Sequence, residues 1–404
     1  MNLDQIAETY VKLVLAVGEH DDSYVDAYIG PAVWRDEVRL QATPLKALLV
    51  QAGELLEHVS VLPPAPEEQA ERQTFLRLQI AAVRAHVAYL DGKTLPFDDE
   101  SKVLYDAVSP ALTPTDLDTT LAELAALLPG EGDLNQRLSS YNKQFEIPRE
   151  KLDAVFSAAI NEARERTRKY IPLPENESFR VEYVSGKVWS AYNWYKGNSH
   201  SLIEVNTDFP MFISRAIDLA SHEAYPGHHV FNVLIENELV KQKGWVEYAV
   251  YPLYSPMSFL AEGSANYGIE VAFPHAERMA FEKQVLFPLA GIDPEKAERY
   301  YQIQAVLQRL SYAGNMVAKQ YLDGEINRDT AIAMLMKYSL SDADRSAQRI
   351  RFIEKLRSYV INYNLGQDVV QAYIEQRTGT QDQDVRWAVL TDLLRKPKSA
   401  SMMI

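Results

Sequence analysis

Apolar residues recur at three- and four-residue intervals through most of the chain, the spacing of helices that bury one face. Leu3 to Val17 carries this pattern. Glu67 to Leu90 carries it at length, through Phe75, Leu76, Leu78, Ile80, Val83 and Val87. That stretch begins after Pro63, Pro64 and Pro66 and stops at Asp91-Gly92, where start and stop signals belong. Further helices are predicted at about 115–128, 131–145 and 149–170, each opened or closed by Pro, Gly or Asp. After Tyr170 the texture changes. Pro172 and Pro174 break the helix, and three short runs follow. Phe179, Val181 and Tyr183 alternate up to Gly186; Val188 to Trp194 ends at Gly197-Asn198; Leu202-Ile203-Glu204-Val205 is the third. Such runs predict a small three-stranded antiparallel sheet or irregular ribbon. Helices resume near 210 and continue to roughly 390. The expected fold is mainly α, with a helical N-terminal region, 1–172, and a region 173–404 that holds the small antiparallel β-ribbon and the chemistry.

Composition narrows the function. Of the 404 residues, 47% are apolar and 24% charged, ordinary for a folded chain. The chain has no Cys, so disulfides, thiol nucleophiles and cysteine metal sites are excluded, and any metal must be held by His and carboxylates. The net charge of −15 argues against nucleic acid as a partner. No apolar run is long enough to span a membrane. The opening Met1-Asn2-Leu3-Asp4-Gln5 is polar and acidic where an export signal is basic and then apolar, so a cytoplasmic protein without a membrane partner is expected. Nothing in the sequence reads out an oligomeric state.

Three of the eight His fall in Ser221-His222-Glu223-Ala224-Tyr225-Pro226-Gly227-His228-His229. In the H-E-x-x-H zinc motif two His stand one helical turn apart and the Glu faces a water on the metal. Here Pro226 occupies the second His position. On a straight helix, six residues rotate about 600°, which turns His228 away from His222; seven return His229 to the same face but about 10 Å along the axis. A distortion that loops out two residues at Pro226-Gly227 brings His228 back to the one-turn position. His222 and His228 are therefore the expected metal ligands, with His229 in a second shell, facing substrate, or packed. The third expected ligand is Glu262, in a helix from Met257 to Ala272, because a Glu among small apolar residues is costly to bury without a partner or a metal. Asn266, one turn on, is placed to accept the second N–H of a ligating imidazole. Two His, one Glu and an open position describe a catalytic zinc centre for one ion.

The block His222-Glu223-x-x-Pro226-Gly227-His228-His229, followed by Glu262-Gly263, resembles the bacterial domain-of-unknown-function 885 family of zinc-peptidase-like proteins, related to the gluzincins. Tyr24-Val25-Asp26-Ala27-Tyr28-Ile29-Gly30-Pro31 is similar to its N-terminal signature, and Tyr363-Asn364-Leu365-Gly366, with Arg351 upstream, to its C-terminal Y-x-x-G segment. Ser358-Tyr359-Val360-Ile361 stands where a Pro-Gly-Gln-Ala run is expected. The resemblance implies a helical shell around a deep cleft, as in oligopeptidases, with His222, His228 and Glu262 on zinc and Glu223 as general base.

The expected activity is a zinc metallopeptidase acting on short peptides. The alternatives are a zinc hydrolase of non-peptide amides and a helical binding protein with a vestigial site. Tyr359, Tyr363 and Arg351 are the expected oxyanion donors. Leu202 to Asn206 is a candidate edge for pairing an extended substrate, or else a structural ribbon. Arg345, Arg349 and Arg351 recur on one helix, as a clamp for a substrate carboxylate or, more simply, as partners of Glu354 and Asp344. His200 is a candidate substrate contact, His86 a core residue, and His20, His58 and His275 surface residues.

Overall fold

A computed structural model describes residues 1–187, 189–378 and 382–404. Its helices start where the sequence supplies caps. Asn2 and Gln5 form a reciprocal capping box on the helix Leu3–Gly18, and Thr113 and Asp116 do the same for Pro114–Leu127. The long helix Glu67–Leu90 has the predicted bounds, and Leu134–Asn142 and Leu152–Arg168 fall inside the predicted segments. The fold is mainly α, as expected.

The helix Pro256–Ala272 lies at the centre. Fourteen of its 17 residues are buried, which is why it shows no polar face. The helix Ile361–Thr378 packs along it at a glycine crossing. A Cβ on Gly263 would fall 2.4 Å from the carbonyl oxygen of Gly366, so the two backbones touch. Helices Glu67–Leu90 and Phe97–Tyr105 pack on the same central helix.

Among the described residues, five short strands complete the fold. β1 (Val25–Tyr28) pairs antiparallel with β5 (Val250–Pro252). β3 (Ala191–Gly197) and β4 (His200–Asn206) form an antiparallel hairpin whose turn residues Asn198 and Ser199 both have positive φ, 57° and 59°. Val188, the start of the second predicted run, lies outside the described residues. β2 (Ser178–Val184) corrects one expectation: it joins β4 in parallel, giving the order β2-β4-β3 rather than an antiparallel meander. The hairpin folds back so that β4 inserts beside β2, a non-local arrangement that alternation along the chain does not encode.

Contacts run freely across position 172. Besides the β1–β5 pairing, Arg72 makes a two-point ion pair with Glu247 at 2.5 and 3.0 Å, and Ile147 donates its N–H to Met211 at 2.8 Å. One hydrophobic core includes residues from both regions. Among the described residues no helix is long and apolar enough to cross a membrane.

Candidate metal centre

The helix Ser214–Leu219 widens over Ala220–Ala224, where Tyr225 bonds back five residues to Ala220 at 3.2 Å. Pro226 offers no N–H. Gly227 then donates to the Ser221 carbonyl at 2.9 Å and, at φ −72°, ψ −138°, leads into a new helix, His228–Leu234. Only glycine fits at 227, since a Cβ there would lie 1.9 Å from the His222 carbonyl oxygen. The break sets the Nε2 atoms of His222 and His228 3.1 Å apart, with the rings at 85° to one another. The expected pairing of these two His is present.

Glu262 completes the cluster. Its Oε2 stands 3.2 Å from His222 Nε2 and 3.7 Å from His228 Nε2. The three ligand atoms lie within 4.8 Å of one another. Two ligands at ~2.0–2.1 Å on a tetrahedral ion stand roughly 3.3 Å apart, so the cluster fits a zinc-sized cation. Glu262 Oε1 accepts from the Tyr359 hydroxyl at 2.8 Å, whereas Oε2 is buried without a hydrogen-bond donor among the described residues, a costly condition that a cation would relieve.

Asn266 takes the expected position, and its two bonds define the tautomer of His222. Its Nδ2 donates to the Tyr363 carbonyl at 2.8 Å, which can only accept. Its Oδ1 therefore faces His222 Nδ1, at 2.9 Å, and accepts a proton from it. The lone pair of Nε2 is left pointing into the cluster, the orientation a metal ligand needs.

Charge follows from this packing. Burial pulls the His228 pKa down, but Glu262, Glu223 and Asp26 outweigh it and raise it to about 9. In the metal-free protein a proton on His228 supplies the positive charge that the carboxylates call for. Burial pushes Glu262 up, but the two imidazoles hold it well below the usual carboxylate range. Burial raises Glu223, with Glu262 adding and His222 and His228 opposing. The Glu223 carboxylate accepts no hydrogen bond from the described residues, while its carbonyl is held by Asn193 of β3 at 2.6 Å.

Several residues escaped the sequence reading. Asp26, in β1, feels the charges of His228, Glu262 and Glu223, and the Tyr192 hydroxyl of β3 donates to it. Burial, opposed by Tyr192 and His228, moves its pKa up to about 6. The N-terminal Tyr-Val-Asp segment thus reaches the site through the β1–β5 pairing. Glu177 is the other omission. It is buried and accepts from His229 Nε2 at 2.9 Å, Arg164 at 2.7 Å and the Tyr225 hydroxyl. His229, with Ser201 at 2.7 Å on its other nitrogen, is accordingly packed behind the motif and away from the ligand cluster.

The C-terminal candidates divide. Tyr359 is engaged with Glu262. Tyr363 is half-buried near Glu262 and Glu223, and burial pushes its hydroxyl up, so it stays a proton donor. Arg351 is exposed and lines a groove of about 410 Å³ with Lys187, Asp208 and Asp344, apart from the ligand cluster. Two residues on a helix are turned about 200° from each other, so Arg349 faces Tyr363 while Arg351 faces out. β4 has partners on both sides and is the central strand of its sheet, with β2 and β3 at the two edges. His200 bonds Ser178 at 3.1 Å, and His86 is stacked in the core on Tyr24 and Tyr254. His20, His58 and His275 are exposed.

No family model matches the chain, and no curated protein does. Among solved structures, it is similar to a Colwellia psychrerythraea protein named a "putative lipoprotein", at 16% identity and a TM-score of 0.50. The match covers 86% of this chain and 66% of that one, so the chain spans slightly under two thirds of its neighbour's length. At this identity the likeness concerns the fold alone.

Proposed function

We propose that the chain is a zinc-dependent hydrolase, most specifically a metallopeptidase that cleaves short peptides. The observation that carries the reading is the buried, donorless Glu262 Oε2 facing two imidazole nitrogens, one of them oriented by Asn266. The motif's resemblance to zinc-peptidase-like proteins supports the same reading. His222, His228 and Glu262 would hold the ion, leaving a fourth position open.

A divalent cation held there supplies Lewis acidity, polarising a carbonyl and acidifying water. The other roles fall to this chain's residues. Glu223, whose carboxylate accepts no hydrogen bond from the described residues and which is next to a proposed ligand in sequence, takes the proton of the attacking water and returns it to the leaving amine. Burial raises its basicity above that of an exposed carboxylate. The Tyr363 hydroxyl, with no hydrogen bond to the described residues, donates to the oxygen that gains charge. Asn193 fixes the backbone of Glu223 against β3, an edge strand of its sheet and the candidate for pairing an extended substrate.

Two measurements test this reading. Protein purified without added metal is assayed for zinc, and a peptide library is digested and read by mass spectrometry. Glu223→Gln is expected to keep its zinc and to lose turnover by about 10²-fold or more. Turnover near wild type in that variant, or zinc below a tenth of an equivalent with no binding on titration, rejects the reading.

A further inference from the structure

Arg349 sits on the helix Ala343–Leu356, half-buried, with its guanidinium 4.7 Å from the centre of the Phe352 ring. Phe352 packs on Tyr363 at 6.3 Å between ring centres, and Tyr363 on Tyr359 at 5.8 Å, the tyrosine that holds Glu262. Gly314 leaves room beside the guanidinium, since even a Cβ there would stay 3.8 Å from Nη2.

The unusual feature is the missing counter-ion. Among the described residues no carboxylate comes within ion-pair distance of Arg349. Arg72, Arg164, Arg278 and Arg357 each have one, in Glu247, Glu177, Asp218 and Glu100, and the half-buried Arg137 and Arg386 bond backbone carbonyls and the Tyr267 hydroxyl instead, whereas Arg349 has only the Phe352 ring among the described residues. Nor does Glu354 serve; it is taken by Tyr321 and Arg328. Burial pulls the Arg349 pKa down, with the neighbouring Tyr363 the one group that opposes the shift. A cation placed this way costs stability without a compensating partner. Its planar fork is matched to a carboxylate, which it can bind through two parallel hydrogen bonds.

We propose that Arg349 anchors the free C-terminal carboxylate of the substrate, so that the site trims short peptides from their carboxyl ends. What is cut rests on the hydrolase reading; what is bound does not. Tyr363 feels the charge of Arg349 as well as those of Glu262 and Glu223, so a peptide held by its terminus at Arg349 would run past the tyrosine toward Glu223.

The test uses the full chain with Glu223→Gln to prevent turnover, and three probes followed by calorimetry: acetyl-Ala-Phe, its C-terminal amide, and acetyl-Ala-Glu-amide. The free acid is expected to bind about tenfold or more tightly than its amide, and Arg349→Ala to erase that difference. Arg349→Lys, which keeps the charge and loses the fork, should recover part of it. Arg349 has no ionic partner to strand, so both variants should fold, as circular dichroism can check. Equal binding of acid and amide overturns the proposal, as does no detectable binding at millimolar concentration or a preference that survives Arg349→Ala. Binding of acetyl-Ala-Glu-amide as tight as the free acid overturns the C-terminal assignment, the anchor then serving side-chain carboxylates. With Glu223 restored, amidation of a cleaved peptide should raise KM far more than it lowers kcat. Discrimination in binding with no peptide cut would remove the hydrolase reading and leave the anchor standing.

Discussion

At the scale of single residues, the proposed metal centre depends on side chains outside the ligand cluster. Asn266 is the clearest. One amide spans His222 and the Tyr363 carbonyl, so it orients the imidazole and ties it to the helix that carries Tyr363. Replacing it with Ala frees the imidazole to rotate and cuts its tie to the helix that carries Tyr363. Zinc affinity should fall by about 10- to 100-fold, read by competition with a chromogenic chelator, while the fold survives. Unchanged affinity would show that packing alone orients His222. Arg349 supplies a prediction of opposite sign. A guanidinium with no counter-ion contributes little to the folded state, so Arg349→Met should leave stability unchanged or raise it by about 1 kcal/mol in urea unfolding. A loss of several kcal/mol would mean that the side chain has a structural partner after all. The clustering of His222, His228 and Glu262 was legible in the sequence because Pro226, Gly227 and a Glu on an apolar helix are strong local signals. Asp26 and Glu177 were not. Their partners, Tyr192 and His229, stand 166 and 52 residues away, and no local pattern marks such pairs.

At the scale of elements, two glycine contacts set the site's geometry. Gly227 allows the chain to turn under the His222 carbonyl, and Gly263 allows the helix bearing Glu262 to touch the helix bearing Tyr363. The tolerances differ. An added Cβ would meet backbone at 1.9 Å for Gly227 and 2.4 Å for Gly263, but at 3.0 Å for Gly366. Backbone cannot give way as a flexible side chain can. Gly227→Ala and Gly263→Ala should therefore each cost ~2–4 kcal/mol, and Gly366→Ala distinctly less. Chemical denaturation of the three variants checks the order, and a Gly366→Ala as damaging as Gly263→Ala would contradict the crossing described. The two substitutions should also fail differently. Gly227→Ala separates the His pair and loses zinc, whereas Gly263→Ala displaces Tyr363 relative to Glu262. Helix bounds and the Pro-Gly break were readable from spacing and caps, which act over one or two turns. The order of the sheet was not. Whether β2 runs parallel to β4 depends on where the hairpin inserts, which is why Leu202 to Asn206 reads as an edge in sequence and lies at the centre in the fold.

At the scale of the whole molecule, the candidate ligands arise from two segments in the second half, yet the surrounding shell draws on both halves. β1 brings Asp26 to the site by pairing with β5, and Arg72 clamps Glu247 next to β5 from the long N-terminal helix. A single core covers both regions. Metal binding should accordingly be linked to the stability of the entire chain. Free zinc at 100 times its Kd adds about 2.7 kcal/mol to a folded state that binds one ion. Calorimetry should then show one transition that shifts upward as a unit when zinc is added and returns when it is chelated. His228→Ala should abolish the shift, because His222 and Glu262 alone leave two positions of a tetrahedron to solvent. If residues 1–172 instead melted as a separate transition indifferent to zinc, the strand pairing and the Arg72 clamp would be too weak to join the halves. The site would then belong to the second region alone, with Asp26 an accessory brought in by docking.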